Sequence, residues 1–115
     1  MEERIKQLYE NINYIGYCSV ARHKNNYVES AKALFPEINA FCEWFLSGNQ
    51  FGIEMEIYQA LKCNLLDILQ DIVTAAEEND EVLMLDALEY GIGEYLTMLL
   101  PEEYFKEREE QVIER

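Results

Sequence analysis

The chain has 115 residues, 50% of them hydrophobic and 28% charged, with a formal net charge of -14. That length suits one domain around a single core, and this much apolar and aromatic content argues against disorder. The acidic balance disfavours nucleic acid, whose phosphates need clustered Lys and Arg, and disfavours an anionic membrane surface.

The charge is unevenly spread: Met1 to Phe35 sums to +1, so the remainder carries -15. An acidic surface promotes solubility and also attracts a basic partner. Two prolines and five glycines punctuate the chain, which suits long helices better than many short strands. Cys18, Cys42 and Cys63 form no CxxC pair and read as inert thiols of a reducing compartment. The start, Met1-Glu2-Glu3-Arg4, lacks the basic and apolar regions of a signal peptide, and no apolar run reaches the ~20 residues that span a bilayer. These features point to the cytoplasm.

The first predicted helix covers about Glu2 to Lys24, with Ile5, Leu8, Tyr9, Ile12 and Ile15 on one stripe. Gly16 lies inside that pattern, where it permits close helix approach or marks a bend. His23 to Asn26 form a polar connection. A second helix spans about Tyr27 to Leu46; its stripe keeps phase across Pro36, which favours a kink, with a split that puts Pro36 in the first turn of a new helix as the alternative. Trp44, Phe45 and Phe41 form an aromatic cluster.

Ser47 to Gln50 is a loop in which Gly48 is placed to end the helix. The third helix, about Gly52 to Glu78, carries Ile53, Ile57, Leu61, Leu65, Ile68, Ile72 and Ala75 on its stripe, widened by Tyr58, Leu69 and Ala76. Asn79 closes it and Asp80 caps the fourth. The fourth carries Val82, Leu85, Leu88, Ile92, Tyr95, Leu96 and Leu99, and ends at Pro101. Beyond Pro101 the chain becomes densely charged and reads as a short helix or tail, with Tyr104, Phe105, Val112 and Ile113 available for docking. There is no internal repeat, low-complexity tract or sustained heptad. The expected fold is all-α, an up-down-up-down four-helix bundle over residues 1–100 with a charged C-terminal segment over 101–115.

Few residues suggest chemistry. Di-iron bundles use Glu-x-x-His motifs, and the single histidine, His23, has no glutamate three residues before it. Asp86 and Glu89, and Asp67 and Asp71, share helix faces, a spacing that describes a solvated face better than a hard-ion site. Cys18 and His23 are five positions apart and point away from each other, and Gly91-x-Gly93 lacks the strand that precedes a phosphate loop. No catalytic, cofactor or metal residue is therefore assigned, and no cofactor is implied. Eight tyrosines suit a core rim or an interface. The expected interaction surface is Asp86, Glu89 and Tyr90.

Asp80-x-Val82-Leu83-x-x-Asp86-x-Leu88-Glu89-Tyr90 resembles a segment of a family of small, uncharacterised all-helical proteins common in Firmicutes. Ile38-x-x-Phe41-x-Glu43-Trp44-Phe45-Leu46 is similar to that family's second helix. The resemblance implies an all-helical bacterial protein and supplies no activity; Gly91 and Gly93 depart from the acidic residue and proline that usually follow the family's tyrosine. A looser similarity, of architecture and composition alone, is to small helical chaperones of flagellar or type III export. The function expected is a non-enzymatic protein-binding, adaptor or chaperone-like module. Its partner is another protein, basic in character, or a second copy in a homodimer. The alternative is a metal-dependent enzyme or ion-binding protein that uses carboxylates.

Overall fold

The computed structural model describes residues 2–21 and 27–106. Of these, 86% are helical and none lies in a strand. The helices are α1 (Glu2–Ala21), α2 (Tyr27–Lys32), α3 (Phe35–Leu46), α4 (Met55–Glu78), α5 (Glu81–Leu85), a π-helical segment (Asp86–Ile92) and α6 (Gly93–Leu99). A further helical turn, α7, covers 102–106. The expected connection at His23 to Asn26, and Val112 and Ile113, lie outside the described residues.

The helix expected over Tyr27 to Leu46 is split rather than kinked. Pro36 has no N–H to bond the turn before it, so the chain breaks at Ala33 and Leu34, where Leu34 N–H instead reaches the carbonyl of Ala31 at 2.9 Å. Pro36 then sits in the first turn of α3, the place where a missing N–H is harmless. α3 ends at Ser47, whose hydroxyl donates to the carbonyl of Trp44 at 2.7 Å, and Gly48 follows directly with a φ of 159°. The following loop is longer than its composition suggests, because Gly52 adopts a left-handed φ of 72° and α4 begins only at Met55.

α4 closes on Asn79, which takes the left-handed conformation (φ 54°, ψ 42°). The Asp80 carboxylate accepts from Leu83 N–H at 3.0 Å and starts α5. Both features follow from the short polar side chains of Asn and Asp. From Asp80 to Leu99 the backbone is one composite helix, α5–π–α6, and it is the centre of the molecule. α1 packs on one side of it, α4 on the other, and α2 touches α1, α4 and α5.

Met84, Leu88, Ile92 and Leu96 are fully buried along this composite helix, whereas Val82 is 73% exposed. The π segment bonds i to i+5 and so holds one more residue per turn. A stripe read at α-helical period therefore loses phase across it and places Val82 wrongly. Ile57, expected in the core, is half exposed, and Tyr58 takes the buried place beside it.

Buried tyrosines anchor the core with their hydroxyls paired to backbone. Tyr58 donates to the carbonyl of Phe45 at 2.8 Å and Tyr95 to that of Leu61 at 2.6 Å. Phe45 stacks on Phe51 and Tyr58 and meets Tyr95 edge-on, which joins α3, the loop, α4 and α6 in one aromatic cluster. Tyr104 of α7 is buried and donates to the Glu10 carboxylate of α1 at 2.8 Å. No helix among the described residues is long and apolar enough to cross a membrane. The three cysteines are free, and burial pushes the Cys42 thiol up to about 12, which leaves it protonated and unreactive.

Candidate functional site

Asp86, Glu89 and Tyr90 all fall in the π-helical segment. A π turn inside an α-helix is less stable than regular helix and is found disproportionately at functional sites. Its effect is to divide the three residues. On an α-helix Asp86 and Glu89, three apart, would share a face; on the wider turn they diverge toward different neighbours.

Asp86 and Tyr90 turn toward α4. With Asp71 and Asn64 of α4 and Glu94 of α6 they line an open depression of about 260 Å³. Its floor is possible because Gly91 lies directly against α4: a Cβ there would stand 2.9 Å from Ile68 Cγ2 and 3.2 Å from Cγ1. Tyr90 is 65% exposed at the rim. Asp71, Asp86 and Glu94 are all exposed, and none is in an ion pair among the described residues. Three uncompensated carboxylates beside an aromatic face make a surface suited to a cationic side chain, which gains from both.

Glu89 turns the other way, onto α1. A Cβ on Gly16 would overlap the Glu89 carboxylate, so Gly16 serves close approach and α1 runs helical through it. Glu89 is half-buried, and loss of water raises its carboxyl above the ordinary range. Tyr27, 1% exposed at the start of α2, carries a hydroxyl with no hydrogen-bond partner among the described residues. Burial, and then the Glu89 charge, push that phenol up. On this side the Glu89 carboxylate lies against α1 and Tyr27 is buried.

The expected surface therefore resolves into Asp86 and Tyr90 on one side and Glu89 on the other. Asn64, Asp71 and Glu94 join the first two, and Gly16 and Tyr27 join the third. The sequence signals for these additions were the Asp67–Asp71 spacing and the glycines: Gly16 and Gly91 sit where helices touch. Tyr14 and Tyr17 are also exposed, and among the described residues no ring contact links them to Tyr90. Also among the described residues, no group of three or more His, Cys, Asp or Glu side chains is placed to hold a metal ion. His23 lies outside them. Comparison with family models, curated proteins and solved structures finds no match to this chain.

Proposed function

We propose that the protein is a non-enzymatic protein-binding module, acting as an adaptor or chaperone, and that a basic segment of its partner lies across the depression beside Tyr90. The observation that carries this reading is the convergence of Asp71, Asp86 and Glu94, from three different elements, around one exposed aromatic ring. The overall charge of -14 supports it by drawing basic chains toward the surface. The same reading takes the fold as four antiparallel arms, with α2 and α3 as one arm broken at Pro36. It also takes the protein as bacterial and cytoplasmic, akin to the small helical family its sequence resembles.

The test is calorimetric titration with a Lys- and Arg-rich peptide at two salt concentrations. Binding should weaken as salt rises. It should also weaken on Tyr90→Ala and on the combined Asp71→Asn, Asp86→Asn, Glu94→Gln variant. Neutralising Glu2, Glu3 and Glu102 instead, as a control of equal charge, should leave most of the affinity. Equal losses in the two triple variants would show attraction to net charge alone and defeat the assignment.

A further inference from the structure

The opposite side of α4 from Asp71 carries a different surface. Between Met55 and Ala76, residues at alternating intervals of four and three form a single row, the spacing with which one helix presents knobs to another. Five of the seven are apolar, the others being Gln59 and Lys62, and none is acidic. Leu66 and Val73 are each 49% exposed and Met55 58%, while Leu69 and Ala76 are partly buried against the core at the row's inner edge, so among the described residues the outer edge of the row is left uncovered. Beside it, Phe35 and Pro36 of α3 line, with Leu69 and Val73, an apolar groove of about 410 Å³. The molecule is a plate, 43 × 41 × 19 Å, about two helix diameters thick.

We infer that a second copy of this chain packs antiparallel against α4, on a two-fold axis between Asp67 and Ile68. This inference does not depend on the proposed basic partner, which uses the other side of the helix. Charge identifies the occupant. Two copies of a chain at -14 repel each other almost everywhere, and this row is a place where no carboxylate opposes another. A basic partner gains nothing from it, since its one charge is Lys62.

The spacing sets the register. An axis at that point lies close to the middle of Met55–Glu78 and pairs Leu66 with Leu69, Lys62 with Val73, and Gln59 with Ala76, each pair occurring twice by symmetry. The overlap from Gln59 to Ala76 runs about 27 Å. The stem of Lys62 crosses Val73 of the other copy, and its ammonium comes within one helical turn of that copy's Glu77. Within one chain neither Lys62 nor Glu77 is in an ion pair among the described residues, so both are free for this contact.

Light scattering on the size-fractionated full chain at tens of micromolar should give twice the chain mass. Leu66→Asp combined with Val73→Asp should weaken association by roughly a hundredfold or more and leave helical circular dichroism intact. Lys62→Glu, a surface change that spares the core, should weaken it by roughly tenfold, and adding Glu77→Lys should restore it. A monomeric parent protein, or a dimer indifferent to Leu66→Asp with Val73→Asp, overturns the interface. A reversed-charge pair that fails to restore association overturns the antiparallel register.

Discussion

The two sides of the π segment are built from the same seven residues and end in opposite states. Toward α4, Gly91 brings the backbones together beneath an open, acidic rim that holds Asp86 and Tyr90. Toward α1, Gly16 lets the Glu89 side chain itself fill the gap, and the Tyr27 hydroxyl nearby is buried. In both places a glycine supplies the space. What occupies it decides the outcome: a rigid, branched Ile68 on one side, the flexible end of a carboxylate on the other. An aliphatic contact seals the floor and leaves the polar groups at the rim hydrated, whereas a carboxylate in the gap loses its water.

The largest effect that would break this contrast is on the α4 side. Gly91→Val should destabilise the fold by about 2–3 kcal/mol, because β-branched Ile68 cannot swing away from the added carbons. Denaturant midpoints measure it, and combining the change with Ile68→Ala should recover part of the loss through a non-additive coupling. Full additivity of the two changes would show that the Gly91–Ile68 approach is not the constraint.

A smaller effect of opposite sign belongs to the α1 side. Tyr27→Phe removes a buried hydroxyl that has no partner among the described residues, and should raise stability by about 1 kcal/mol. A loss of that size would mean the hydroxyl is hydrogen-bonded in solution.

The smallest effect concerns pH. Burial raises the folded-state pKa of Glu89 above its unfolded value, so ionising it works against folding. Its contribution is most favourable below the ordinary glutamate range and is lost as pH rises through the interval up to the raised value. Glu89→Gln should therefore melt slightly higher than the parent near about pH 7, with the difference shrinking toward about pH 4. Tyr90→Ala, on the hydrated side, should show no such pH-dependent difference. A Glu89→Gln melting temperature that falls at neutral pH would reverse the assignment of that side as dehydrated.

Much of the architecture could be read directly from residue order. The Asp80 cap, the left-handed Asn79, the helix stripes of α1 and most of α4, and the aromatic group at Phe41, Trp44 and Phe45 are local effects of side-chain size and hydrogen bonding. Pro36 was legible as an interruption, but kink and split differ only in where Leu34 finds its hydrogen bond, which depends on what packs against α2 and α3. Asp86, Glu89 and Tyr90 lie on one segment, but Asp86 and Glu89, which share a face at α-helical period, diverge because the segment is a π turn. The row from Met55 to Ala76 was hidden for a different reason. Gln59 and Lys62 break it as an apolar heptad, and only the position of the neighbouring helices shows which of α4's two apolar stripes is covered.

Composition and periodicity alone thus determined that this protein is helical and acidic, and that one helix stops at Asn79 and the next starts at Asp80, because those properties depend on residues a few positions apart. Which glycine meets which side chain, which way Glu89 turns, and which faces remain uncovered were decided by tertiary structure. They depend on distances between elements far apart in sequence, and the π turn that sets them leaves no local mark beyond Gly91 and Gly93.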